Sequence, residues 1–122
     1  MLEKLTKTMQ GSQAEQAAVE YLLQKGLRLV TTNYRCKLGE IDIIMREDKK
    51  LIFVEVRQKY KTRFGNAAST ITPQKQQNVR QAARCYLHQH SLTHKVACRF
   101  DVIAIDGDWR NHDNFSWIKQ AF

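Results

Sequence analysis

Two β-branched runs, Ile41-Asp42-Ile43-Ile44 and Leu51-Ile52-Phe53-Val54-Glu55-Val56, lie on either side of the polar tetrad Glu47-Asp48-Lys49-Lys50. This pattern predicts two strands joined as an antiparallel hairpin. With the tetrad as the loop, Arg46 faces Leu51, and each outward step moves one residue on both strands. Asp42 then falls opposite Glu55, and Glu40 opposite Arg57. Glu40, Asp42, Ile44, Phe53, Glu55 and Arg57 share one face, while Ile41, Ile43, Ile52, Val54 and Val56 share the other.

Upstream, residues 1–10 form a polar lead-in that either frays or extends the first helix. Ala14, Ala17, Ala18, Tyr21 and Leu22 then recur at spacings of three and four, which predicts a helix from Ser12 that stops at Gly26. Ser12 and Glu15 match a capping box at its start. Residues 27–34 read as a strand and residues 35–38 as its turn into Gly39, expected to supply a backbone conformation that other residues resist. Residues 58–71 are loop-like. Tyr60 and Phe64 in that loop are available to stack on a base, and Phe64 is equally suited to anchoring the loop in the core.

Thr72-Pro73 opens a second helix, with a capping hydroxyl followed by proline in the first turn. Val79, Ala82, Ala83, Tyr86 and Leu87 form its apolar stripe, which leaves Lys75, Arg80 and Arg84 toward solvent or a ligand; the helix ends near His90. Residues 96–105 predict a fourth strand, Asp106-Gly107-Asp108 a turn, and residues 115–118 a short last strand. The order helix, three strands, helix, strand, strand predicts an α/β fold, a mixed β-sheet flanked by helices, as a single domain over residues 1–122.

Composition narrows the function. With 43% hydrophobic and 26% charged residues, the 122-residue chain reads as a soluble globular domain. No apolar run approaches the roughly 20 residues of a membrane span, and Met1-Leu2-Glu3-Lys4 lacks the apolar segment of a signal peptide, so a cytoplasmic protein with no membrane association is expected. Cys36, Cys85 and Cys98 are widely spaced and odd in number, which fits free thiols in a reducing compartment. The set Cys85, His88, His90, His94 and Cys98 contains no CxxC pair to suggest zinc.

Net charge is +8, and its distribution is one-sided. No acidic residue occurs from Val56 to Phe100, yet that stretch carries Arg57, Lys59, Lys61, Arg63, Lys75, Arg80, Arg84, Lys95 and Arg99. Such a segment next to the hairpin favours a polyanionic partner, nucleic acid first.

Opposed carboxylates at Asp42 and Glu55 would stand roughly 4.5–5.5 Å apart at their β-carbons and destabilise the sheet unless compensated. A hard divalent cation, Mg²⁺ or Mn²⁺, is one compensation. The other reading is a wet hairpin face on which Arg57 neutralises Glu40 and the remaining acids are solvated.

Gly39-Glu40-Ile41-Asp42, Phe53-Val54-Glu55-Val56-Arg57, the Phe64-Gly65 loop, Lys75 and Arg99-Phe100-Asp101-Val102, in this order, resemble the YraN-like family of small bacterial proteins across nearly the whole chain. That family is similar in fold to the PD-(D/E)XK nucleases, especially the archaeal Holliday junction resolvases. The resemblance implies a restriction-endonuclease-like fold and a metal-dependent endonuclease acting on structured or branched DNA. It makes Asp42 and Glu55 metal ligands, puts Arg57 at the lysine position of the E-x-K element, and makes Glu15, four residues after Gly11, a further metal-binding carboxylate. Glu40 belongs to the same motif as Asp42. Lys75 matches a basic position in the second helix expected to contact phosphate, Lys59, Lys61, Arg63, Arg80 and Arg84 of the acid-free stretch are the further expected nucleic-acid contacts, and a homodimer follows by analogy with the resolvases. Arginine at position 57 is a departure, since a guanidinium stabilises phosphate charge but does not lose a proton. A module that keeps the fold and binds nucleic acid without cutting it is the alternative.

Overall fold

The computed structural model describes residues 7–59 and 67–122, with backbone only for residues 7–12. Five strands form one mixed sheet: β1 (Arg28–Cys36), β2 (Gly39–Glu47), β3 (Lys50–Lys59), β4 (Cys98–Asp106) and β5 (Phe115–Ile118), side by side in chain order. Helix α1 (Lys7–Gln24) precedes β1, and α2 (Pro73–Gln89) makes the crossover from β3 to β4, the one parallel pair among the described residues. This is the α/β architecture expected, a mixed sheet flanked by two helices.

The central strand explains the packing. β3 is covered on both sides, so it reads as an almost unbroken apolar run, Leu51 to Val56, interrupted only by Glu55. Beneath α1, the small side chains Ala14, Ala17 and Ala18, with Leu22, pack on Ile43, Met45, Ile52, Val54, Ile103 and Ile105. Beneath α2, Val79, Ala82, Ala83 and Tyr86 cover Ile41, Ile44, Leu51 and Phe53.

Several local expectations change. Among the described residues α1 already runs from Lys7, so the lead-in extends the helix; Ser12 is an interior position, and Ser12 and Glu15 do not form a capping box at a helix start. Gly26 ends the helix as expected, with φ +96°. β1 extends to Cys36, which narrows the turn before β2. Gly39 does not have a positive φ. Its lack of a side chain serves a close approach instead, since a Cβ there would come within 2.4 Å of the Asn78 carbonyl oxygen on α2. Thr72 caps α2 as predicted, its hydroxyl accepting from the Lys75 N–H at 3.1 Å.

Candidate active site

The hairpin register is the expected one through Arg46 and Leu51, Ile44 and Phe53, and Ile43 and Val54, and there it ends. Beyond this point β2 continues to pair with β1, while β3 continues beside β4. The two strands therefore fork, and Asp42 and Glu55 stand in the fork. Separation strips the Val56 N–H of a ladder partner, and Asp42 replaces it, its Oδ2 accepting that N–H at 2.9 Å. The fork also breaks the expected alternation. Ile41 does not share the Ile43 face but packs with Val79 and Tyr86 under α2.

Glu55 is 2% exposed, and among the described residues its Oε2 has no hydrogen-bond partner. Burial, followed by the adjacent Asp42 carboxylate, pushes its pKa up to about 9; Lys75 and Arg57 pull in the opposite direction. Glu15 reaches the same carboxylate from α1. Its pKa is raised to about 7, first by burial and then by Asp42, with Glu40 adding to the effect and Arg35 opposing it. Three acids from α1, β2 and β3 thus converge with Asp42 between the other two.

The cations are arranged differently from the hairpin prediction. Glu40 does not pair with Arg57. It pairs with Arg35, its neighbour on β1, at 3.3 Å on the exposed rim. Arg57 lies one strand position beyond Val56 and acts electrostatically on Glu55, while its Nε is buried without a partner among the described residues. Lys75, in the first turn of α2, places Nζ 3.8 Å from Glu55 Oε1. Sequence reasoning placed Lys75 on the ligand-facing side of α2 but did not foresee this contact, because the distance from α2 to β3 depends on the Gly39–Asn78 approach.

A groove of about 370 Å³ opens beside these groups, lined by residues of the β1–β2 turn, among them Arg35, Lys37 and Gly39, and by Lys75 and Asn78 from α2. The other expected nucleic-acid contacts are dispersed. Lys59 ends β3, Arg84 is exposed on α2, and the Arg80 guanidinium lies 5.4 Å from the Phe122 ring centroid. Lys61, Arg63, Tyr60 and Phe64 lie outside the described residues. The chain on both sides of that segment is anchored at the same end of the sheet: Gly107 donates to the Lys59 carbonyl at 3.0 Å, and the Ala67 N–H donates to Asp106 at 2.6 Å.

The acids fit a divalent cation in one respect. Glu55 Oε2 is a buried acceptor without a donor beside a second carboxylate, an arrangement relieved either by a proton or by a metal. Among the described residues, no group of three or more His, Cys, Asp or Glu side chains could by itself hold a metal ion. The arrangement is compatible with one or two protein ligands completed by water and substrate, the way Mg²⁺ is commonly bound.

The sequence profile of the uncharacterised protein family UPF0102 matches residues 14–105. A UPF0102 protein of Nitrosococcus oceani is 44% identical over 121 residues, covering 99% of this chain and 97% of its own length. Relatives from Nitrosomonas europaea and Legionella pneumophila are 47% and 45% identical, each alignment covering 92% of both chains.

Proposed function

The chain belongs to the UPF0102 family, the YraN-like proteins, and from that footing we propose that it is a metal-dependent endonuclease hydrolysing phosphodiester bonds in branched or otherwise structured DNA. The observation that carries the reading is the buried, donorless Glu55 carboxylate beside Asp42 in the fork of the sheet. Asp42 and Glu55 would hold Mg²⁺ or Mn²⁺ directly, with Glu15 acting through water. The ion would polarise a phosphoryl oxygen and favour deprotonation of the attacking water.

The chain's own residues do the rest. The Val56 N–H fixes Asp42, burial keeps Glu55 from turning to solvent, and Arg57 offsets phosphate charge without exchanging a proton. The acid-free segment supplies backbone contacts through Lys59, Lys61, Arg63 and Arg84, which favours recognition of shape over sequence. A homodimer would present two such sites to a two-fold junction.

Arg57 at the lysine position favours the second reading, a nucleic-acid-binding module without turnover. It requires steeply salt-dependent binding and no cleavage. Labelled four-way junction, flap, duplex and single-stranded DNA, incubated with Mg²⁺, Mn²⁺ or EDTA, separate the two. The endonuclease reading requires cleavage by the wild type with metal, lost in Asp42→Ala and Glu55→Ala while DNA binding persists. Cleavage at the wild-type rate by either variant removes the catalytic assignment, and binding without cleavage by the wild type selects the module.

A further inference from the structure

We propose that Lys75 of α2 supplies the catalytic ammonium that the E-x-K element on β3 lacks, holding a non-bridging oxygen of the nucleic-acid phosphate beside Glu55. The inference rests on the hydrolytic reading of the fork and adds a residue from a second element to it.

The position of Lys75 is unlike that of a general backbone contact. Its Nζ is 3.8 Å from Glu55 Oε1, a looser approach than a direct charge-assisted hydrogen bond of roughly 2.7–2.9 Å. Glu55 therefore attracts the ammonium without saturating its donors. The same lysine lines the groove together with Arg35, Lys37, Glu40 and Asn78, and Glu40 is itself paired with Arg35. It lines the space a phosphate could enter and also approaches Glu55, which does not line that space. At 24% exposure its charge is partly shielded from water, which strengthens its action on a phosphate.

The mounting is rigid. Thr72 caps the helix through the Lys75 N–H, Pro73 sets the first turn, and the Gly39 backbone lies directly against Asn78. Arg57, by contrast, occupies the strand position with a planar, permanently charged group whose Nε is buried without a partner among the described residues. A compact ammonium delivered from α2 restores the lysine that the strand does not carry.

In the implied step, a water oxygen bonds to phosphorus as the bond from phosphorus to the leaving ester oxygen breaks, with its electron pair passing to that oxygen. The water releases one proton to solvent, and the leaving oxygen takes one from solvent. Lys75 donates a hydrogen bond to the phosphoryl oxygen on which charge accumulates and takes no part in the proton transfers.

The test uses the full chain as wild type, Lys75→Met and the double variant Lys75→Met/Arg57→Lys, with thermal melts to confirm folding. Lys75→Gln replaces the methionine variant if that one fails to fold. Cleavage of a labelled four-way junction and of duplex DNA is followed with Mg²⁺, and DNA affinity is measured separately in EDTA. Lys75→Met is expected to slow cleavage about 10²- to 10³-fold, the usual loss for one preorganised donor at a developing charge. Affinity should fall by less than about threefold, as for one phosphate contact among several. Lysine at position 57 in the double variant should recover at least about tenfold of the lost rate, because it returns an ammonium to the site. Cleavage by Lys75→Met within about threefold of wild type, or equal losses of binding and cleavage, overturns the assignment.

A wild type that cleaves none of these substrates defeats the hydrolytic reading itself. Lys75 is then judged by the ¹³C resonance of its ε-carbon, assigned by comparison with Lys75→Met, during titration with inorganic phosphate and Mg²⁺. A saturable shift exceeding those of the exposed Lys49 and Lys95 supports the phosphate contact, and no such shift overturns it.

Discussion

Glu55 occupies a strand position covered on both faces, where an apolar residue would cost nothing to bury. Its protonation is the most direct consequence of that placement. Folded Glu55 has a pKa of about 9 and Glu15 of about 7, both above the ordinary 4.5. The folded chain therefore binds these protons more tightly than the unfolded chain. Their contribution to stability is complete below about pH 4.5 and is lost as pH rises through about 7 for Glu15 and about 9 for Glu55. Thermal melts in EDTA should show this part of the stability falling from pH 5 to 9.5, with a flatter profile in Glu15→Gln/Glu55→Gln. A wild-type profile no steeper than that of the double variant would contradict this account. That Asp42 and Glu55 come together was legible in the sequence because hairpin register follows from loop length, although the ladder stops at Ile43 and Val54 and does not pair them directly. Glu40 was misassigned because its partner, Arg35, belongs to β1, whose register the β2–β3 alternation does not contain.

At the scale of elements, one contact seats α2 against the β1–β2 turn beside the site and another ties β5 and the residues after it to β4, and each can be tested. A Cβ on Gly39 would lie 2.4 Å from the Asn78 carbonyl oxygen, a helix backbone atom that cannot swing aside. Gly39→Ala should therefore cost about 1–3 kcal/mol in chemical denaturation, the range for forced overpacking. An unchanged midpoint would show that α2 moves freely. Asp101, fully buried on β4, accepts from Arg99 Nε and Nη2 at 2.8 Å, from Trp117 Nε1 at 2.9 Å and from the Gln120 N–H at 3.0 Å. Asp101→Ala leaves the Arg99 charge, among the described residues, with only the longer 3.5 Å contact to Glu47, strips Trp117 Nε1 and the Gln120 N–H of their acceptor, and should cost about 3–5 kcal/mol, measured the same way. A loss below about 1 kcal/mol, as at an exposed pair, would contradict a structural role. The pairing of Arg99 with Asp101 was accessible from the sequence, since strand residues two apart share a face. The bonds from Trp117 and Gln120 were not, because they require knowing that β5 folds back along β4. A helix start was legible where a proline marks it, as at Pro73, whereas the candidate cap Ser12 lies inside α1.

At the scale of the molecule, a chain of net charge +8 gathers three carboxylates at one end of its sheet and places its acid-free segment immediately after them. The mean field of such a protein repels cations and attracts polyanions, but at physiological salt the field is screened within about 8 Å. Any cation binding would then have to come from the local acid cluster. No helix among the described residues is long and apolar enough to cross a membrane, and both helices instead bury one face against the sheet. The fold class was legible because hydrophobic period and turn residues agree along most of the chain. The fork was not, because it depends on β3 leaving β2 for a parallel partner distant in sequence. The most direct test is calorimetric titration of Mn²⁺ into wild type, Asp42→Ala and Glu55→Gln at pH 8 and 0.15 M salt. The account requires saturable binding to wild type and its loss in both variants. Equal binding by all three proteins, or none by the wild type, would contradict a metal site in the fork.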